Sequence, residues 1–196
     1  MVDSIRSGWI TTGPKTHRFE DEFSRYIGSR HSVAVNSCTA ALHLALKVIG
    51  IDRDDEVILP AMTFTATAEV ATYMGARPVL VDIERDTYNI DIHEIEKSIT
   101  WKTRAIIPVH YAGQVCDVAG IMKIAKKHNL YVIEDAAHSL PAWYNSNVRR
   151  EMAKSRHNRR YYMFQFLCHK DPCNRRRRDG LHSKRRVGGE DQNPQA

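Results

Sequence analysis

The sequence predicts an α/β fold in which an open, mostly parallel sheet carries helices on both faces. Two observations predict it. Short apolar runs alternate regularly with longer stretches of helical period over the first 148 of the 196 residues, and these runs are apolar throughout. Strands of this kind are buried on both sides, as in parallel sheets whose crossovers are helices. With 42% hydrophobic residues, the chain is long enough for one domain with a core.

The elements follow from the spacing of the apolar residues. Phe19, Phe23, Tyr26 and Ile27 fall on one face of a first helix, and residues 31–35 predict a short strand. The later elements alternate in the same way: helix 38–49, strand 56–59, helix 65–74, strand 78–82, helix 92–99 with a cap at Asn89 or Asp91, strand 105–110, helix 118–128 and strand 131–135.

Charge divides the chain into two parts. Residues 1–148 contain 15 Lys and Arg against 18 Asp and Glu, a net charge of −3, whereas residues 149–196 contain 14 against 5, a net charge of +9. The tail is poor in core-forming residues and contains four consecutive arginines at 175–178 without a helical or strand period around them. We therefore expect a globular part over 1–148 and a basic, disordered tail over 149–196.

The composition also excludes several classes of protein. No stretch approaches the roughly 18 uncharged apolar residues of a membrane-spanning helix, and residues 1–12 lack the apolar run of a signal peptide. We therefore expect a cytoplasmic protein without a membrane partner. Its four cysteines, Cys38, Cys116, Cys168 and Cys173, are unevenly spaced and are expected to be reduced thiols.

In sheets of this kind, ligands bind at the carboxyl ends of the strands, and three strand ends carry suitable residues. At 36–40, Asn-Ser-Cys-Thr-Ala turns directly into a helix, so backbone N–H groups and the Thr39 hydroxyl can face an anion such as a phosphate. The same residues are typical of a well-capped buried helix. This segment alone leaves both interpretations open.

The other two strand ends supply an aromatic ring and a carboxylate. Phe64 can stack on a flat ligand, although an isolated Phe at a helix start is usually a core residue. Asp135 can hold a protonated ring nitrogen and His138 can cover the same ring; alternatively, Asp135 caps a helix and His138 is a half-buried structural histidine. Together, a phosphate site, a stacking aromatic and a ring-nitrogen carboxylate match pyridoxal 5'-phosphate.

Several motifs follow one another along the chain between about Ser7 and Tyr144. They are G-W-I-T-T-G-P-K at 8–15, V-A-V-N-S-C-T-A-A-L at 33–42, D-E-V-I-L-P at 55–60 with Thr63 and Phe64, V-H-Y-A-G-Q at 109–114 and I-E-D-A-A-H at 133–138. In this order they resemble the DegT/StrS-type aminotransferases, pyridoxal phosphate enzymes of fold type I that act on keto-sugars bound to nucleotides.

The resemblance implies that residues 1–148 are an incomplete large domain of the type I pyridoxal phosphate transferases. It implies that Cys38 and Thr39 bind the cofactor phosphate, Phe64 stacks on the pyridine, Asp135 pairs with its nitrogen and His138 lies beside the ring. The implied reaction is transamination of a nucleotide-linked keto-sugar with an amino acid, usually glutamate, as amino donor. A homodimer is expected for the intact family member, and we expect no metal site.

The lysine that forms the Schiff base in this family is missing from the place where the resemblance puts it. It lies after the Asp-x-x-His element, in a segment resembling G-D-I-x-x-F-S-F-x-A-T-K, and no such segment follows His138. Lys170 is the lysine nearest to that position, but its flanking residues differ. We therefore expect this chain to lack catalytic competence.

The genetic code offers an explanation for the tail. Residues 159–171 can be encoded so that the DNA, read one nucleotide later, gives G-D-I-T-C-F-S-F-Y-A-T-K. The same shift continues through residues 172–195 and permits T-L-A-T-G-E-G-G-M-V-C-T-Q-N-E-E-W-A-E-K-I-R-I-L-R. We therefore expect a frameshift near residues 145–150, an out-of-frame tail, little cofactor binding and poor solubility.

One alternative takes the basic tail as an arm that binds RNA or DNA. The aromatic side chains of Tyr161, Tyr162, Phe164 and Phe166 would then stack on bases. Two observations disfavour this interpretation: the tail can be encoded by DNA whose second frame gives a family-like string, and residues 1–148 are acidic.

Two further alternatives concern the same segment. Cys168, His169, Cys173 and His182 could be zinc ligands, although their spacing is irregular. A lysine-free relative that dehydrates the sugar could use His169 in place of the lysine, but the expected flanking residues are absent.

Overall fold

The computed structural model of the chain describes residues 2–140 and the backbone of residues 160–163. Its helices are α1 (Val2–Arg6), α2 (Pro14–Ile27), α3 (Cys38–Val48), α4 (Thr65–Tyr73), α5 (Ile92–Ser98) and α6 (Val118–His128), with a short 3₁₀ helix at Tyr111–Gly113. Its strands are β1 (Glu56–Pro60), β2 (Arg77–Val81), β3 (Thr103–Ile106), β4 (Tyr131–Asp135) and β5 (Arg160–Met163). Helices and strands alternate from α3 to β4, as the sequence predicts.

The five strands form one sheet in the order β2-β1-β3-β4-β5, and each of these pairings is parallel. In the register, Glu56 of β1 lies opposite Arg77 of β2, and Ala105 of β3 lies opposite Tyr131 of β4. Parallel neighbours require crossover connections, which the helices supply. The predicted α/β architecture with a mostly parallel sheet is therefore confirmed.

Each face of the sheet has its own hydrophobic core, because successive residues of a strand point to opposite faces. On one face, Val57 and Leu59 of β1 pack with Leu46 of α3 and Val70 of α4. On the other face, Ile58 of β1 belongs to a core that includes residues of α5 and α6. The helices thus cover both faces, and the central residues of β1, Val57, Ile58 and Leu59, are buried on both sides of the sheet.

Helix α3 begins where the sequence provides a cap. Ser37 has an extended backbone, and its Oγ accepts a hydrogen bond from the N–H of Ala40 at 3.1 Å. Leu42 and Leu46 then bury the side of the helix that faces the sheet. The cap places Cys38 at the N-terminus of the helix.

The structure shows which of the two predicted residues, Asn89 or Asp91, caps helix α5. The carboxylate of Asp91 accepts from the N–H of His93 at 2.8 Å and is the cap. Asn89 instead joins two loops: its Oδ1 accepts from the N–H of Tyr111 at 3.1 Å, and its Nδ2 donates to the carbonyl of Gln114 at 3.3 Å.

Residues 31–35 are not a strand, so this prediction is wrong. A strand requires a ladder of hydrogen bonds with a neighbour, and no strand of the described residues pairs with this segment. The N–H of Ala34 donates to Oε1 of Glu20 at 2.8 Å instead. Val33 is 78% exposed, so apolar composition did not suffice to form a strand here.

The tail contains a regular element that the sequence does not predict. β5 pairs in parallel with β4, from Val132 opposite Arg160 to Asp135 opposite Met163. The disordered tail over 149–196 stays a prediction, and β5 lies within that range. The predicted boundary near 148 and the arginine run at 175–178 lie outside the described residues.

None of the helices among the described residues combines the length and the apolar character that crossing a membrane requires.

Candidate functional site

A pocket of about 550 Å³ opens where β1, β3 and β4 end. Its lining residues are Cys38, Thr39, Leu42, Met62, Thr63, Phe64, Ala66, Thr67, Val109, His110, Tyr111, Asp135, Ala137 and His138. They come from the N-termini of α3 and α4 and from the segments that follow the three strands, which is the usual position of a ligand site in a parallel sheet. The pocket brings together all five residues that the sequence analysis proposes as cofactor ligands.

Asp135, the last residue of β4, is the buried acid of the pocket and is 7% exposed. Its Oδ2 accepts a hydrogen bond from Oγ1 of Thr67 at 3.2 Å. Its Oδ1 accepts from the N–H of Ala137 at 3.2 Å and from Sγ of Cys38 at 3.6 Å. These three donors suit an ionised carboxylate, which can only accept. No helix begins between 135 and 140, so Asp135 is not a helix cap.

Thr67 is a site residue that the sequence analysis missed. It is fully buried in the first turn of α4, and its Oγ1 lies 2.8 Å from Oγ1 of Thr63. Because the single hydroxyl proton of Thr67 goes to Asp135, Thr63 donates to Thr67. The signal was the string T-F-T-A-T at 63–67, which places two hydroxyls four residues apart across the start of the predicted helix.

The side chain of Cys38 faces the carboxylate of Asp135 and not the helix N-terminus, where the sequence predicts a phosphate. Burial, followed by the charge of Asp135, raises the pKa of the Cys38 thiol to about 12. The thiol is therefore neutral at physiological pH and acts as a donor. An anion at this helix would meet the backbone N–H groups of Cys38 and Thr39, because the first N–H groups of a helix have no acceptor within it.

Phe64 and His138 line the pocket from exposed positions. Phe64 immediately precedes α4 and is 77% exposed, so its interpretation as a core residue is wrong. His138 is also exposed, so it is not a half-buried structural histidine. Their rings are accessible to a flat ligand beside the buried Asp135.

The loop after β3 approaches the loop after β4 closely. Gly113 has φ +90°, and a Cβ at this position would lie 3.0 Å from the carbonyl oxygen of His138. The neighbouring Ala112 also has a left-handed backbone, with φ 49°. Such strain in a residue other than glycine persists only where the surrounding structure imposes it, which is common beside ligand sites.

Several sequence-predicted candidates lie outside the described residues. They are Lys170 and the four alternative zinc ligands, Cys168, His169, Cys173 and His182. Within the described part of the chain, no lysine lines the pocket. Within the same part, no group of three or more His, Cys, Asp or Glu side chains is arranged to hold a metal ion.

Comparison of sequences identifies relatives of the chain. A sequence model described as the DegT/DnrJ/EryC1/StrS aminotransferase family matches residues 1–157. MJ1066 of Methanocaldococcus jannaschii, an uncharacterized protein, is 54% identical over 144 residues, which are 74% of this chain and 37% of that protein. The spore coat polysaccharide biosynthesis protein SpsC of Bacillus subtilis is 46% identical over 148 residues, 76% of this chain and 38% of SpsC. The chain thus spans less than two fifths of the length of these relatives.

Comparison of structures agrees with the sequence match. NtdA of Bacillus subtilis, solved with bound cofactor PMP, superposes with a TM-score of 0.72 at 35% identity. The match covers 75% of this chain and 34% of NtdA.

Proposed function

Since the chain belongs to the DegT/DnrJ/EryC1/StrS aminotransferase family, we propose that its pocket is a pyridoxal 5'-phosphate site for transamination of a keto-sugar carried by a nucleotide. Glutamate is the proposed amino donor, and the intact enzyme is proposed to be a homodimer. One observation carries the proposal: a carboxylate held by three donors, a helix N-terminus and an exposed aromatic ring share one pocket.

The residues of the pocket fit this cofactor. Asp135 is a buried carboxylate and would pair with the protonated ring nitrogen. Cys38 and Thr39 would bind the phosphate through their N–H groups at the start of α3, helped by the Thr39 hydroxyl. Phe64 would cover the ring, and His138 would lie beside it. When bound, the cofactor supplies an electron sink for the bonds of the carbon that carries the amino group.

Transamination also needs an amine that holds the cofactor and moves a proton at the substrate carbon. We propose that this chain lacks a competent amine, because Lys170 has the wrong flanking residues and the described lysines do not line the pocket. The chain would then bind the cofactor weakly without completing the reaction.

We further propose that the tail is translated out of frame. The permitted shifted string places D-I-T-C at 160–163, the segment that forms β5 beside β4. The string continues as F-S-F-Y-A-T-K, so it contains the missing lysine. The basic charge of the tail would then be a by-product of the frame and not a nucleic-acid site.

Titration of the full chain with pyridoxamine 5'-phosphate, followed by the fluorescence of the ligand, tests the cofactor proposal. We expect weak, saturable binding that Asp135→Asn reduces by at least about tenfold, because the variant loses the charge that faces the ring nitrogen. Asp86→Asn removes an exposed carboxylate and serves as the control. Equal binding by the parent and Asp135→Asn, or no binding by a natively folded parent, would contradict the proposal.

A further inference from the structure

A buried polar pair lies next to Asp135 and has no role in the proposed reaction. Glu134 precedes Asp135 on β4, and its Oε2 is 3.0 Å from Nε2 of His110. Both side chains are buried, with Glu134 0% and His110 4% exposed. Burial of a carboxylate is costly compared with an apolar side chain of similar size, so stability alone does not account for the pair.

The neighbours of His110 define which ring nitrogen carries the proton. The backbone N–H of Cys116, which can only donate, lies 3.3 Å from Nδ1 of His110. Nδ1 is therefore the acceptor, and Nε2 carries the ring proton that is donated to Glu134. The thiol of Cys116 donates to the carbonyl of Val109 at 3.2 Å, and its Sγ also lies 3.4 Å from Nδ1 of His110, so the assignment rests on the backbone N–H of Cys116.

The same histidine is also bonded to Asp135 through the backbone. The N–H of His110 donates to the carbonyl of Asp135 at 3.1 Å, and the N–H of Asp135 donates to the carbonyl of Pro108 at 2.9 Å. Residues 108–110 therefore hold the end of β4 by its main chain, while the ring of His110 holds it by the side chain of Glu134.

Strand geometry links this pair to the pocket. Successive side chains of a strand point to opposite faces, so Glu134 lies on the face opposite to Asp135. Asp135 meets Cys38 and Thr67 on the α3 and α4 side. A rotation of the strand end that released Glu134 would also move the carboxylate of Asp135.

We propose that His110 and Glu134 are positioning residues, whose hydrogen bond holds the end of β4 so that the Asp135 carboxylate faces the cofactor ring nitrogen. The inference rests on the proposed function for the identity of the ligand. The positioning itself is a property of the protein without ligand, so it can be tested separately.

The first test uses NMR on the full chain without cofactor. The ¹⁵N signals of His110 should show a proton on Nε2 and none on Nδ1. The ¹³C carboxyl signal of Asp135 should shift in Glu134→Leu, which removes the acceptor, and stay near its parent position in Glu134→Gln, which keeps one. A proton on Nδ1, or an Asp135 signal unchanged in a folded Glu134→Leu, would overturn the proposal.

The second test measures the affinity for pyridoxamine 5'-phosphate. Glu134→Leu should weaken binding by at least about tenfold and Glu134→Gln by less than about threefold. An effect of this size is typical when a residue that does not touch the ligand orients one that does, here Asp135. Ile95→Ala shortens a buried side chain of α5, in the core on the α5 and α6 face of the sheet, and leaves His110 and Glu134 unchanged. It lowers the free energy of unfolding and therefore controls for a general loss of stability. If Glu134→Leu and Ile95→Ala lower the free energy of unfolding equally and also weaken ligand binding equally, the proposal is overturned.

The two tests separate the possible failures. A parent chain that does not bind pyridoxamine 5'-phosphate contradicts the proposed function, whereas the NMR signals of His110 and Asp135 still decide whether the pair positions the carboxylate. Should Glu134→Leu fail to fold, His110→Leu, whose side chain cannot donate, removes the same hydrogen bond from the other side and gives the same comparison.

Discussion

The thiol of Cys38 donates a hydrogen bond to the carboxylate of Asp135, with Sγ 3.6 Å from Oδ1, although the two residues are 97 positions apart. This contact joins the N-terminus of α3 to the end of β4. The proposed phosphate site and the proposed ring-nitrogen carboxylate are therefore adjacent parts of one pocket. A change at either residue is expected to affect the other.

Thr67→Val should weaken the binding of pyridoxamine 5'-phosphate by about tenfold, because the variant removes a hydroxyl that donates to Asp135 while keeping its shape. Thr67→Ser keeps the hydroxyl and should bind like the parent. Fluorescence titration of both variants checks this. Equal affinities for Thr67→Val and Thr67→Ser would show that the hydroxyl does not support the carboxylate.

Phe64→Ala should weaken the binding of pyridoxamine 5'-phosphate and leave the stability of the fold nearly unchanged. Because the ring is 77% exposed, its loss should change the free energy of unfolding by less than about 0.5 kcal/mol. Loss of stacking should weaken pyridoxamine 5'-phosphate binding by about fivefold. Urea unfolding and fluorescence titration measure the two effects, and Trp101→Ala, at a residue 87% exposed and outside the pocket lining, is the control. A large loss of stability would place the ring in the core after all.

Alkaline pH should destabilise the fold through its buried thiols. Burial first, and then the carboxylates of Asp135 and Glu134, raise the pKa values of Cys38 and Cys116 to about 12. Between about pH 9 and pH 12 the unfolded chain loses these protons and the folded chain retains them. The free energy of unfolding should therefore fall as pH rises, by up to about 1.4 kcal/mol per pH unit for each thiol.

Urea unfolding at pH values from 8 to 11, compared between the parent and Cys38→Ala, checks this prediction. The slope of unfolding free energy against pH should be less steep in the variant, because one of the two buried thiols of the described residues is gone. Identical slopes would mean that the Cys38 thiol ionises equally in both states.

Sequencing the coding DNA from codon 140 to beyond codon 196 tests the frame. We expect a one-base change to restore G-D-I-T-C-F-S-F-Y-A-T-K, and the protein expressed from the restored frame to transaminate with glutamate while the present chain does not. Codons that forbid this string would contradict the frameshift. The basic tail would then be tested for RNA binding by titration at several salt concentrations.

The sequence by itself determined the alternation of helices and strands and the segments in which ligand residues lie. Apolar period and composition are local properties, so the helices α3 to α6 and the strands β1, β2 and β4 could be predicted near their observed bounds, whereas the strand predicted at 105–110 forms at Thr103–Ile106. The ends of parallel strands meet at one edge, so the segments after β1 and β4, which carry Phe64 and Asp135, could be predicted to converge. Thr39 lies beside them at the start of α3, although the strand predicted before it at 31–35 does not form.

Only the tertiary structure decided which side chains meet. It placed the Cys38 thiol on Asp135, buried Thr67 against the same carboxylate and exposed Phe64. It also paired His110 with Glu134, and it left residues 31–35 without a strand partner in the described part of the chain. These outcomes depend on neighbours far away in sequence, and local period carries no information about such contacts, because packing and hydrogen bonding choose among the orientations that the pattern allows.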